Sequence, residues 1–195
     1  MKNTKDIKKI IQFISEAGML KSIKRSGWQV LGIKGAESVA EHSFRCAVIG
    51  YILAGMEEAS CYKVGLLTLL NDIHEARITD LHKMAQRYIN IDSAEDRCFI
   101  EQVKNLPDKL RKELTKLHEE YRKQKTKESI IARDADILEC LIQAKEYYEQ
   151  GFKKAIEFTK RAPRFLKTKS AKKLWRFVNT NNITNWWAAY SDFKR

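Results

Sequence analysis

The sequence predicts an all-α fold in one domain, and three observations carry that expectation. Apolar residues recur at helical spacing along nearly the whole chain. No alternating apolar run is long enough to make a strand. The 195 residues include only 2 prolines and no low-complexity run. A chain of this length can bury a substantial core, and the 44% hydrophobic content supplies one. The expected unit spans 1–195, with its core at about 18–150 and basic C-terminal helices at about 151–195.

Thr4 is placed to cap a first helix that carries Ile7, Ile10, Ile11 and Ile14 on one face and stops at Gly18. Residues 19–37 hold Gly27, Gly32 and Gly35 and read as a mostly irregular connection. Ser38-Val39-Ala40-Glu41 is a capping box, in which serine and glutamate satisfy each other's backbone amides, so a second helix starts here and runs to about Gly55. Ser60 caps a third, through Val64, Leu66, Leu67, Leu69 and Leu70 to about Glu75, and a polar turn follows at Thr79-Asp80. Helical period continues over about 93–105, 108–123, 127–149, 152–161 and 169–179, with a short helix near 184–193. Gly151 and Pro163 mark two of these boundaries.

No apolar stretch approaches the roughly 18 residues of a membrane span. The N-terminus lacks a signal-peptide apolar core, so a cytoplasmic location is expected and no membrane partner. Cys46, Cys61, Cys98 and Cys140 stand singly within helical patterns without CxxC spacing, which fits free thiols in a reducing compartment. The formal charge is +12, and residues 151–195 hold twelve lysines and arginines against only Glu157 and Asp192. Such a surface attracts anions; a solvated lysine-rich face and a nucleic-acid footprint both account for it, and charge does not decide between them.

The residues that point to chemistry are acidic groups set into apolar helices. Asp72 ends the run from Val64 to Leu70, where a carboxylate costs several kcal/mol to desolvate unless a cation or donors receive it. Glu75 and Asn71 share its helical face. Asp134 and Asp136 interrupt a second apolar helix, and His42 lies in the first turn of a third. Acidic groups in an otherwise cationic protein suggest a polyanionic pocket, and a divalent metal is the simplest compensation. Taken singly, each residue also has a plain structural role, as a cap or on a solvated helix face.

Order and spacing add to this. Leu20-Lys21-Ser22-Ile23-Lys24-Arg25-Ser26-Gly27-Trp28 resembles an LKxxxRxGW segment, and Glu37-Ser38-Val39-Ala40-Glu41-His42-Ser43 resembles ESVAEHS. Residues 71–80 resemble HDxxEAxxGD, and Arg133-Asp134-Ala135-Asp136-Ile137-Leu138-Glu139 resembles KDADxLE. Together they resemble the HD-domain superfamily of metal-dependent phosphohydrolases, in the branch of the 5′-deoxynucleotidases, over roughly residues 18–190. That resemblance implies His42, Asp72 and Asp136 as metal ligands, with Asn71 at the position of a fourth. It implies Glu75 as the residue that activates water, Arg25 as a phosphate contact, Asp80 near the sugar and Trp28 framing the site. It also implies one divalent ion, whether Mn, Co, Mg, Fe or Zn, and an oligomer.

Two positions depart from the pattern. Asn71 stands where the family has the histidine of its His-Asp pair. Its neutral carbonyl oxygen is a poor substitute for imidazole towards borderline metals but acceptable to Mg²⁺ or Mn²⁺, so an active natural variant, a catalytically weakened relative and an engineered change all remain open. Thr79 stands where the family has glycine, and a β-branched residue resists positive φ, so the turn into Asp80 is expected to differ. The leading expectation is a phosphohydrolase acting on nucleoside 5′-monophosphates, with triphosphates or cyclic nucleotides as the nearest competitors. The alternative is an HD protein that binds nucleotide or nucleic acid without turnover. A homodimer is expected because the apolar helix faces exceed what one small monomer covers, and a dedicated nucleic-acid arm is not favoured.

Overall fold

Side-chain caps set most of the helix starts. The computed structural model describes residues 4–190, and in it Ser38 and Glu41 close the capping box ahead of Val39. Thr126 and Ser129 form a second one. Ser60, His82, Asn90 and Thr168 each accept the backbone N–H three residues on. The resulting helices, in chain order, are α1 (Thr4–Ala17), α2 (Ser26–Val30), α3 (Val39–Met56), α4 (Cys61–Leu70), α5 (Glu75–Ile78), α6 (Lys83–Gln86), α7 (Ile91–Val103), α8 (Asp108–Lys123), α9 (Lys127–Glu149) and α10 (Lys169–Thr180). Tighter 3₁₀ turns lie at Gly18–Lys21, Asn71–His74, Lys153–Lys160, Ala162–Phe165 and Trp186–Tyr190. No strand occurs among the described residues, only one isolated bridge between Lys24 and Ser38. The fold is all-α, and no helix among the described residues is long and apolar enough to cross a membrane.

Several elements differ from the sequence expectation, each for a local reason. The first helix tightens into a 3₁₀ turn at Gly18 rather than stopping there. It turns Ile10, Phe13 and Ala17 inward, leaving Ile7, Ile11 and Ile14 exposed. The supposedly irregular 19–37 stretch contains α2 and the Lys24–Ser38 bridge. The third helix breaks at Asp72, whose φ of −91° and ψ of 16° leave the helical range. Residues 152–161 wind as a 3₁₀ turn, and the helix near 184–193 is a 3₁₀ turn at Trp186–Tyr190 whose last expected residues lie outside the described ones. Helix α6 was not anticipated, because its His82 cap is not a common one.

Three apolar clusters fill the interior. The largest joins α3, α4, α9 and α10 through Leu53, Val64, Leu67, Ile131, Leu138, Leu141 and Trp175. Each fully buried leucine contributes about 1.5–3 kcal/mol. A second cluster packs α1 and α7 on Leu20, Val39 and Ile73, and a third surrounds Trp28 with Ile33, Ala144 and Tyr147. The polar site lies where these clusters meet, between the start of α3, the middle of α9 and the kink after α4.

Candidate metal centre

The capping box fixes the start of α3 and sets His42 in its first turn, buried against α9. There Nε2 of His42 faces Asp136 Oδ1 at 3.2 Å and Asp72 Oδ2 at 3.6 Å. The kink at Asp72 turns its carboxylate back toward α3 and α9. His42 Nδ1 pairs with Glu139, one turn beyond Asp136 on α9 and fully buried. An acceptor-only carboxylate at Nδ1 holds the proton on that nitrogen and leaves Nε2 as the ring atom turned toward the two aspartates, open to a cation that displaces its proton.

Glu139 is in turn held by Arg45, whose Nε and Nη2 reach its Oε1 at 2.9 and 2.7 Å. Arg45 also donates to Gln143 at 2.6 Å and Glu146 at 2.7 Å. Asp136 receives Arg133 Nη1 at 2.6 Å and the Tyr121 hydroxyl at 3.4 Å on its other oxygen. Sequence reading assigned no role to Glu139, Arg45 or Arg133. The signal was spacing: Glu139 follows Asp136 by three residues and Arg45 follows His42 by three, so each pair shares a helix face.

Carboxylates dominate the charge of the site. Burial works against a charged His42, yet Cys46, Glu139 and Asp136 overcome it and raise its pKa well above the ordinary 6.5. Burial also raises Asp72, with Asp136 adding to the rise, whereas His42 and Arg133 overcome burial at Asp136 and hold it below the usual range. Burial, Asp72 and Asp80 push Glu75 well above its ordinary value, and its buried Oε2 has no hydrogen-bond partner. Glu37 rises to about 7, chiefly by burial and the nearby Glu139. A pocket that draws protons onto both a histidine and its carboxylates is short of positive charge. One imidazole nitrogen, two converging carboxylates and an unpartnered third form a donor set that fits a divalent cation.

Arg25 Nη1 lies 3.5 Å from Asp80 Oδ1, and Asp80 Oδ2 accepts from Ser26 N at 2.6 Å and Ser26 Oγ at 3.2 Å. This joins the start of α2 to the turn after α5. Thr79 holds φ 63° and ψ 170° there, so the turn keeps the positive φ that a threonine was expected to refuse. Its amide stays bonded to Glu75 O at 2.9 Å. Trp28 is buried behind the site, its indole N–H on Glu37 Oε1 at 2.9 Å and its ring against Tyr147 and Phe158. Asn71 donates its side-chain amide to Asp72 Oδ1 at 2.6 Å, the only arrangement an ionised carboxylate accepts.

Other acidic and histidine residues are not brought to this point. Asp134 lies about 200° around α9 from Asp136 and accepts the backbone amides of Lys167 and Thr168 at the start of α10, so it belongs to the core and not to the acidic pocket. His74 pairs with Glu95 at 3.6 Å. His82 caps α6. His118 stacks on Phe99, ring centroids 4.0 Å apart, and bonds Asp96.

Comparison with known proteins converges on one family. The HD domain family model matches residues 17–175. The curated 5′-deoxynucleotidase HDDC2 of Dictyostelium discoideum is 30% identical over 149 residues, covering 72% of this chain and 78% of that protein. The protein of the same name from Danio rerio is 31% identical, over 72% of this chain and 70% of its own length. Among solved structures, a conserved hypothetical protein from Pyrococcus furiosus superposes with a TM-score of 0.71 at 34% identity, over 87% of this chain and 98% of that one. A predicted metal-dependent phosphohydrolase from Magnetospirillum magnetotacticum shares the fold, with a TM-score of 0.72 at 21% identity over 90% of this chain and 91% of that one.

Proposed function

We propose, from the premise that this chain belongs to the HD-domain family, that it is a metal-dependent phosphomonoesterase acting on nucleoside 5′-monophosphates. The observation that carries the reading is the convergence of His42, Asp72 and Asp136, from α3, the kink after α4 and α9, beside the unpartnered carboxylate of Glu75. The family implies a divalent metal; His42, Asp72 and Asp136 would hold it, and when bound it would polarise the phosphate and acidify a bound water. Glu75 accepts the proton of the attacking water, its carboxylate kept free of other hydrogen bonds for that task. Arg25, beside Asp80, offsets phosphate charge, and Asp80 would meet the sugar. Trp28 frames the site from behind by holding Glu37.

The single HD-type unit over 1–195 is taken to act in the cytosol as a homodimer, through the outer face of α3 and α4, with a nucleotide rather than nucleic acid as ligand. A second reading has one observation in its favour. The Asn71 amide is committed to Asp72 and offers no imidazole, which suits a weakened protein that binds nucleotide without turnover.

One screen separates the two: phosphate release from ribo- and deoxynucleoside 5′-monophosphates with Mn²⁺, Co²⁺, Mg²⁺, Fe²⁺ or Zn²⁺ added. The expected result is metal-dependent release that Glu75→Gln abolishes and Asn71→His raises by about tenfold or more, since imidazole is the stronger ligand. Nucleotide binding without release under any metal would leave the binding-only reading.

A further inference from the structure

We propose that Cys46 is a metal ligand in this chain, its thiolate taking the coordination that Asn71 does not supply; the inference rests on the metal-centre reading above. The ligand atoms of His42, Cys46 and Asp136 all lie within 4.8 Å of one another. Cys46 follows His42 by four residues on α3, so both side chains leave the helix on the buried face. Its sulfur is 3.4 Å from His42 Nε2, the nitrogen that already faces Asp136 at 3.2 Å and Asp72 at 3.6 Å. Two atoms bound to one ion through bonds of about 2.0–2.3 Å sit roughly 3.3–3.7 Å apart in tetrahedral geometry, so the sulfur at 3.4 Å and Asp72 at 3.6 Å stand at that spacing from Nε2, and Asp136 at 3.2 Å is just inside it.

The other thiols give a contrast. Cys61 and Cys98 turn to the backbone carbonyls of Ala59 and His74, as structural thiols do, whereas Cys46 turns to the imidazole. The sulfur is also 3.9 Å from Nδ1, so it rides across the ring, and ligation turns it about Cα–Cβ toward the Nε2 side. On binding, the S–H proton leaves to solvent and a sulfur lone pair forms the metal bond. Asn71, held by its amide to Asp72, brings no imidazole to the shell. A thiolate makes the site softer than an all-oxygen and imidazole set, which selects Zn²⁺ or Co²⁺ over Mg²⁺.

The test is a Co²⁺ titration of the full-length chain followed by absorption. The wild type is expected to show a near-ultraviolet thiolate-to-cobalt charge-transfer band that saturates at one equivalent. Cys46→Val, close in volume, is expected to lose the band and to bind Co²⁺ at least about tenfold more weakly, while Cys140→Ala keeps both. Cys46→Ala serves as a second variant, with helical circular dichroism verifying the fold of each. Co²⁺ binding without the band, or a band that survives both Cys46 variants, overturns the ligand role and leaves the metal centre standing. A wild type that binds neither Co²⁺ nor Zn²⁺ overturns both.

Discussion

At position 79 a β-branched residue holds a backbone conformation, φ 63° and ψ 170°, that glycine adopts freely and other residues at a cost of about 1–3 kcal/mol. What over-determines it is the pairing on either side: the Thr79 amide on Glu75 O, and Asp80 on Ser26 and Arg25. Replacing Thr79 with glycine removes the Cβ conflict and adds about 0.5–1 kcal/mol of unfolded-state entropy. The net expectation is a stabilisation of about 1 kcal/mol in urea-induced unfolding, and a lower midpoint for Thr79→Gly would show that the threonine side chain earns its place by contact. His42, Asp72, Asp136 and Glu75 stood out in the sequence as residue types at telling spacings, and Arg25 only through the family resemblance. Glu139 and Arg45 were not legible, because their three-residue spacing from Asp136 and His42 marks a shared helix face but names no partner until two helices are laid side by side.

The crossing of α3 and α4 turns on Gly50. A Cβ there would meet Val64 Cγ1 and Thr68 Cγ2 at 3.0 Å. Both neighbours are β-branched and stiff in χ1, so neither yields easily. Exchanging glycine for alanine inside a helix ordinarily adds about 0.5–1 kcal/mol of stability, but overpacking a core costs about 1–3. Gly50→Ala is therefore expected to lower the thermal midpoint, and a raised midpoint would mean the helices separate without loss.

A second element-scale prediction concerns the attachment of the last turns to α9. Glu149 accepts the amides of Ile183 and Thr184, the latter at 3.1 Å, and the Thr184 hydroxyl at 2.9 Å. Burial raises its pKa, but these bonds and Lys145 outweigh burial and lower it from 4.5. A carboxylate with a depressed folded-state pKa stabilises above its unfolded value, and that contribution is lost as pH falls through the folded one. Amide exchange at Ile183 and Thr184 should thus quicken once pH drops below about 4.5, after correction for intrinsic exchange. Glu149→Gln should show the same loosening at neutral pH, and full protection in that variant would rule out the anchor.

Across the whole molecule, every exposed position of α3 after Glu41 is apolar: Phe44, Val48, Tyr51, Ile52, Gly55 and Met56. The exposed positions of α4 are Tyr62, Leu66 and Leu69, and Tyr51 meets Tyr62 edge-on at 6.2 Å, which makes the two helix faces one patch. Phe44 and Tyr62 are 67% and 80% exposed in the single chain. A continuous apolar surface of this kind fits a covering partner, and a two-fold pairing with itself brings apolar face to apolar face. Light scattering is expected to give about twice the 22.8 kDa chain mass, and Phe44→Glu to give the monomer. A monomeric wild type at tens of micromolar would remove the dimer.

The sequence by itself determined that the chain is helical, where α3, α8, α9 and α10 begin, and which residue types carry chemistry, since caps, periodicity and short-range spacing act between neighbours along the chain. Only the tertiary structure decided which of those residues meet. By residue type and helical pattern Asp134 and Asp136 look equivalent, and only the family resemblance singled out Asp136; in the structure one caps the approach to α10 and the other faces His42, because helix residues two apart point to nearly opposite sides. It also decided the break at Asp72 and the positive φ at Thr79, conformations that local propensity disfavours and that contacts from residues far away in the chain hold in place.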